Sequence, residues 1–491
     1  MDDILITHAT VVTVDSSNRV LHDAAIAISG REIVALGPTE VVSTEHPARQ
    51  VIDAHGMVAL PGLVNGHIHM FTALYKGTMC GFGFDRTMGE DTNFCIRATP
   101  DLMLAATRLS AVEMLRSGIT LANVAGDAIS FEVARQTPEA LGQAGMKAFV
   151  QTLLADMFGM IDRSADAQLA EAEMLLKEYQ GKFEGHIRVA PSVAEALATS
   201  LKTMRRLVAL AEREDLVEHI HVFPRWPIGA FSWLVRGRSP LDLLKAGGLL
   251  NQRLIAVHFL AATRGDIAAV ARAGASVVHC PSVWMNVAVG PRHWLPVKAL
   301  HRAGVNITLG TDSYGGWIEG ADMFTEMRTC ALMSSFLYGA DTLTPMDVLR
   351  MATINGARAL RLEKETGSLE IGKRADIVLL KFDRPPVLPS SDIPAMIVYG
   401  ASGRDVDTVL IDGRIVVRGG QVLTLDESAV VAAATEARAE LYRLGGWVLT
   451  PDGATPPKTS WLERYPNPRI ARWGTRFARL ETIWKRNGKQ P

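Results

Sequence analysis

Apolar and polar positions follow two rhythms along this chain. The first sixty residues alternate as strands do: 4–14 is rich in Ile, Thr and Val, and 24–28 and 33–37 are short apolar runs parted by Ser29-Gly30-Arg31-Glu32. Residues 51–54 and 57–60 continue the rhythm up to Pro61-Gly62. From there to about residue 360, short apolar runs alternate with stretches whose apolar residues recur at i, i+3 and i+4. The expected strands are 63–67, 119–124, 147–152, 187–190, 217–222, 254–258, 276–279 and 305–309. Helices are expected at 102–117, 165–179, 204–214, 264–273 and 345–360. Eight strands alternating with helices is the pattern of a parallel (β/α)8 TIM-type barrel, although a doubly wound open sheet shares it.

Beyond Thr366-Gly367-Ser368-Leu369 the strand rhythm returns at 377–381, 396–399, 406–411 and 414–418, with a turn at Asp412-Gly413. Strands at both ends of an α/β unit predict that the two terminal segments pair into one small β-sandwich. The resulting division is 1–60 and 366–425 for the two parts of the sandwich, 61–365 for the barrel and 426–491 for a helical extension. That extension opens with an amphipathic stretch, 427–444, and ends in a tail with Trp461, Arg464, Arg469, Arg472, Trp473, Arg476, Arg479, Trp484 and Arg486. Packing on the barrel or on a second subunit is the plain reading of the tail, and nucleic-acid binding the sharper one.

Composition narrows the classes. At 491 residues the chain exceeds a single core and suits a barrel plus a smaller domain. With 48% hydrophobic and 21% charged residues it reads as soluble and globular, and a net charge of −1 argues against a nucleic-acid or membrane-surface partner. Cys80, Cys95, Cys280 and Cys330 form no C-x-x-C pair and no disulfide framework. An acidic start without an apolar core, and no run of about 18 uncharged apolar residues, lead to the expectation of a cytoplasmic protein with no membrane span.

The chemistry begins with His67-Ile68-His69 at the end of an apolar strand. Residues i and i+2 of a strand face one side, so both imidazoles point inward together, a half-site for zinc or iron. Alone, His-x-His arises often by chance. Here His221 ends a second apolar strand, His258 a third, and Asp312 follows Leu309-Gly310-Thr311 at the last. Ligand-capable residues recurring at the C-terminal ends of barrel strands mark the place where this fold builds active sites.

Pro61-Gly62-Leu63-Val64-Asn65-Gly66-His67-Ile68-His69, His221, Val257-His258, His279-Cys280-Pro281-Ser282 and Leu309-Gly310-Thr311-Asp312 together resemble the amidohydrolase superfamily. The order and spacing are closest to its cytosine-deaminase-like, atrazine-degrading and S-adenosylhomocysteine-deaminase-like branch. Segments 323–328, 352–357 and 372–378 are similar to later parts of that branch, and the resemblance covers roughly residues 1 to 425. It implies one divalent metal, zinc before iron, held by His67, His69, His221 and Asp312. Other branches carry two metals on a carboxylated lysine, and the fourth strand here has none. The resemblance further implies that Asp312 takes a proton from the attacking water and that His258 stabilises the oxyanion. It also implies a small-molecule substrate and a homodimer or higher homo-oligomer.

The chain departs from that branch at one telling position. Deaminating members follow the fifth-strand histidine with a glutamate three residues on, which shuttles a proton to a ring nitrogen. Here that position is Pro224. The main expectation is therefore hydrolysis of a C–N bond that needs no ring protonation, in an amide, urea or carbamate, or at an activated ring amine. The alternatives are an aminohydrolase of a purine, pyrimidine or triazine whose proton comes from elsewhere, and a catalytically silent binding relative. His219, two residues before His221 on the same side of its strand, could donate the proton or hold a ligand from behind. Two further changes, Ser192 after Pro191 and Val283-Trp284-Met285-Asn286 after the His-Cys-Pro motif, point to an apolar pocket. Met70, Phe71, Tyr75, Phe82, Phe84, Tyr314 and Trp317 could line it or fill the loop core.

Overall fold

The computed structural model describes all residues except 128–129, 158–160, 162, 225–227, 288–293, 314–319, 384–391, 451–452 and 459–491, and omits the side chains of 84, 85, 191, 228, 230 and 231. Tyr314, Trp317 and the Arg/Trp tail from Trp461 onward thus lie outside the described residues.

Eight parallel strands form the centre: β1 (Leu63–His69), β2 (Ile119–Val124), β3 (Lys147–Leu154), β4 (Ile187–Val193), β5 (Glu218–Val222), β6 (Leu254–His258), β7 (Ser276–His279) and β8 (Asn306–Leu309). Their near-continuous apolar runs are what strands buried on both faces require. The pairings run β1-β2-β3-β4 and β5-β6-β7-β8. A parallel bridge between Glu195 and His221 joins β4 to β5. On the other side, the chain leaves β8 and pairs again through Asp312–Ser313 with Ile68 and His69 of β1. The strands therefore follow one another round a ring, which separates this topology from an open doubly wound sheet.

The β1–β8 seam needs two glycines. A Cβ on Gly310 would lie 2.8 Å from the His67 amide nitrogen, and one on Gly66 would lie 2.8 Å from the Leu309 carbonyl oxygen. Only glycine lets these backbones approach so closely. Helices return the chain between strands, and several start at the caps their sequences announce. Ser164 and Ser200 each accept a backbone N–H, and Thr263 with Asp266 makes a full capping box.

The terminal segments do pair. Ile377–Lys381 runs antiparallel to Met57–Pro61, so residues from both ends share one nine-stranded sheet. The hydrogen bonding is continuous through this sheet. Register shifts on either side of Ala9 let the long first strand bend. One face gathers Ile4, Ile6, Ile26, Ile28, Ile377, Leu379 and Leu410 into a core of its own. The other turns Val378, Leu380, Val409 and Ile411 into the barrel core.

Two local expectations are corrected. Residues 396–399 are not a strand but the end of a helix, Ile393–Tyr399, started by Asp392 accepting from the Ala395 N–H with Pro394 in the first turn. The helix expected at 345–360 is two, Pro345–Met351 and Ile354–Ala359, divided at Thr353, whose φ/ψ of −138°/−100° is not helical. The extension opens with a helix, Glu427–Gly445, as expected. A short hairpin of Val448–Thr450 and Gly453–Thr455 follows it. Among the described residues no helix is long and apolar enough to cross a membrane.

Candidate active site

Strand polarity delivers the chemistry to one end of the ring. His67 and His69 leave β1 with alternate spacing, His221 leaves β5, His258 ends β6, and Asp312 stands just past β8. Asn65 fixes the last of these: its amide donates to the Thr311 hydroxyl at 2.8 Å and its carbonyl oxygen accepts the Thr311 N–H at 3.2 Å. His258 and Asp312 have φ of 72° and 61°, the left-handed region that non-glycine residues rarely occupy. Such conformations concentrate where a side chain must be aimed at a site.

The four histidines and the aspartate converge. Asp312 Oδ1 lies 3.2 Å from His67 Nε2 and 3.5 Å from His69 Nε2, and its Oδ2 lies 3.5 Å from His258 Nε2. His69 Nε2 and His221 Nε2 are 3.3 Å apart. Each of the first three imidazoles is held by its outer nitrogen. His67 Nδ1 meets His219 Nε2 at 2.9 Å, His69 Nδ1 bonds the Asp127 carboxylate, and His221 Nδ1 lies 3.3 Å from the Ala194 carbonyl oxygen. Their inner nitrogens face one another and Asp312, and His67 Nε2 is buried with no hydrogen-bond partner. An orphaned imidazole nitrogen among converging donors fits a divalent cation, and the ligand atoms of His67, His69 and Asp312, like those of His67, His221 and His258, lie within 4.8 Å of one another.

His258 is held differently. The Trp284 indole N–H, which can only donate, points at His258 Nδ1 from 3.0 Å. A neutral His258 then carries its proton on Nε2, the nitrogen that faces Asp312. Neutrality is enforced by burial, which pushes the pKa of His258 well below the usual value. Burial and the neighbouring histidines do the same to His67 and His219, and lower His221 to about 4. His69 is the exception: burial pulls it down, but Asp127 and Asp312 outweigh that and raise it to about 9. That cluster of opposed charges around one imidazole is where a cation would relieve the carboxylates.

The site opens into a cleft of about 1400 Å³ including its mouth. The wall is mostly apolar, with Leu153, Ile161, Val193, Phe223 and Trp284. Helix Phe84–Cys95 contributes Thr87, Met88, Asp91 and Thr92. The apolar pocket is therefore present, though Met70, Phe71, Tyr75 and Phe82 do not line it, and the side chain of Phe84 lies outside the described residues. Phe71 and Tyr75 are fully buried and pack with Phe94, Tyr442 and Trp447 under the C-terminal helix, and Met70 is buried in the barrel core. Phe82 stacks near Trp447.

All the site residues expected from sequence meet here, with His219 behind His67. Pro224 is buried beyond the end of β5. Sequence reasoning missed Asp127, which sits three residues past β2 and also accepts the Phe71 N–H at 3.2 Å. It missed Glu195 on the cleft wall and the donor role of Trp284. The signal for Asp127 was the one that found Asp312, a lone acid just beyond an apolar strand.

Comparison with known proteins gives the family. The model of the amidohydrolase family matches residues 58–416. A 5′-deoxyadenosine deaminase of Methanothermobacter thermautotrophicus is 34% identical over 444 residues, covering 86% of this chain and 100% of that one. A 5-methylthioadenosine/S-adenosylhomocysteine deaminase of Desulforudis audaxviator is 34% identical, covering 88% and 97%. Among solved structures, an adenosine deaminase from Xanthomonas campestris with bound zinc aligns with a TM-score of 0.84 at 30% identity, covering 90% and 99%. Atrazine chlorohydrolase from Arthrobacter aurescens shares the fold at 22% identity, with a TM-score of 0.78 over 89% of this chain and 100% of that one. The chain belongs to the amidohydrolase family and is a hydrolase of carbon–nitrogen bonds.

Proposed function

We propose that this protein is a mononuclear metal-dependent aminohydrolase that releases ammonia from an adenine nucleoside lacking a charged 5′ group. One observation carries the chemistry: three imidazoles clamped by their outer nitrogens turn their inner nitrogens, one of them orphaned, toward Asp312. The substrate class is supported by relatives of near-equal length named for 5′-deoxyadenosine and for 5-methylthioadenosine, both uncharged at the 5′ position, the second name also including S-adenosylhomocysteine, which is charged there. The largely apolar cleft suits an uncharged 5′ substituent. Amides, ureas and carbamates, the first expectation from Pro224, have less behind them than the aminohydrolase alternative.

In this reading His67, His69, His221 and Asp312 hold one divalent ion, zinc as in the Xanthomonas structure. When bound, the ion supplies a water acidified toward neutral pH. Asp312 takes the proton of that water and returns it to the departing amine. His258 donates its Nε2 hydrogen to the oxygen that becomes negative on the tetrahedral carbon, and Trp284 keeps that hydrogen in place. His219 holds His67 in the tautomer whose Nε2 is free.

The test is ammonia release from 5′-deoxyadenosine, 5′-methylthioadenosine, S-adenosylhomocysteine and adenosine, beside phenylurea and anilide substrates. Ammonia from the nucleosides, strongest without a 5′ charge, is expected. Hydrolysis of ureas or anilides with the nucleosides untouched would refute the proposal.

A further inference from the structure

Pro224 stands where the resemblance to deaminating family members leads one to expect a glutamate, yet a different carboxyl reaches the same cleft. Glu195 lies just past β4 and pairs across to His221 in the bridge that closes the ring. Its neighbour Ala194 holds His221 Nδ1 through its carbonyl oxygen. The backbone of Glu195 is thereby fixed one strand away from the missing glutamate, and its side chain lines the cleft together with His69, His221, His258 and Asp312.

The other acids of that wall are engaged. Asp91 accepts the Tyr75 hydroxyl at 2.6 Å, Asp127 bonds His69 and the Phe71 N–H, and Asp312 faces His67. Glu195 Oε2 is sealed from solvent and has no hydrogen-bond partner among the described residues. Among the described residues no lysine or arginine lines the cleft to pair with it. An unsatisfied buried carboxyl oxygen is costly, and a hydrogen-bond donor brought by a ligand would remove that cost.

We propose that Glu195 takes over from β4 the part left vacant at Pro224, and that it contacts the substrate and passes a proton to the ring nitrogen beside the amine-bearing carbon. This assignment rests on the aminohydrolase reading. The protons balance as follows. Asp312 removes one proton from the attacking water while its oxygen bonds to the carbon, and Glu195 protonates the ring nitrogen. Asp312 then protonates the amine. As the C–N bond breaks and its electron pair leaves on ammonia, the proton of the new hydroxyl passes to Glu195. Ammonia and the lactam are the products, and both carboxyls end as they began.

Glu195→Gln tests this, using 5′-deoxyadenosine and its analogue with chloride in place of the amine. Chloride leaves without a proton and already makes the ring carbon electrophilic. For the amine, kcat should fall by about 100-fold or more, the range of a lost general acid. Chloride release should fall by at least about tenfold less, with KM within about threefold, and Glu195→Asp should recover part of the amine rate. Metal content and melting temperature should match the wild type. Ammonia release retained within about threefold, or equal losses for both leaving groups, would overturn the role of Glu195 alone. Loss of metal or of the fold in Glu195→Gln would make it a structural residue instead. A wild-type enzyme that frees no ammonia would overturn the aminohydrolase reading itself, and this assignment with it.

Discussion

An imidazole has two nitrogens, and what grips one decides what the other can do. Asp127 grips His69, and the pair has the form in which a carboxylate orients a metal-binding histidine. Asp127→Asn should therefore weaken zinc binding by about 10- to 100-fold, measured with a competing chelator, while the fold survives. Unchanged affinity would remove Asp127 from the site. At this scale the sequence was informative where strand parity forces two side chains together, as in His67 and His69. It was uninformative where a partner comes from another strand. Nothing near Asp127 in the sequence ties it to His69, which is 58 residues away. Trp284 read only as bulk, because an indole N–H declares its partner only in three dimensions.

Strands and helices were legible in proportion to how far local pattern and burial agree. All eight barrel strands stand within a few residues of their expected places, since buried parallel strands need continuous apolar runs. The segment at 396–399 misled because its β-branched residues suggested a strand, whereas Asp392 and Pro394 had already set a helix in motion. Strand β5 also carries a penalty visible only in the fold. Glu218 at its start is fully buried, with Oε2 accepting from Asn251 and Oε1 unsatisfied. Burial raises its pKa to about 7. The folded state then holds a proton that the unfolded chain releases near pH 4.5, so stability falls as pH rises from about 4.5 to 7 and stays lower above. Glu218→Gln removes that loss. Melting curves should show the variant more stable than wild type at pH 8 by roughly 2–3 kcal/mol, with the gain fading by pH 4.5. A gain independent of pH would contradict this.

At the scale of the molecule, the barrel and the terminal sheet are joined by buried charge on the face opposite the site. Lys147, at the start of β3, reaches Asp376 at 2.8 Å and also bonds Asp412, which in turn meets His186 at 3.2 Å. Asp376 and Asp412 are almost wholly buried, so Lys147→Met would leave two carboxylates short of a cation. A loss of about 3–5 kcal/mol in chemical denaturation is expected, with the metal affinity of any folded fraction unchanged. A neutral effect would show that the joint does not depend on this cluster. The pairing of the two chain ends was legible from strands at both termini, but this joint was not, because its members are separated by up to 265 residues. The central claim is that one ion in the cup of His67, His69, His221 and Asp312 drives the reaction. Adding zinc stepwise to chelator-stripped protein while following ammonia release from 5′-deoxyadenosine tests it most directly. The rate should climb in a straight line and break at one ion per chain. A break at two ions, or full activity in the stripped protein, would contradict the account.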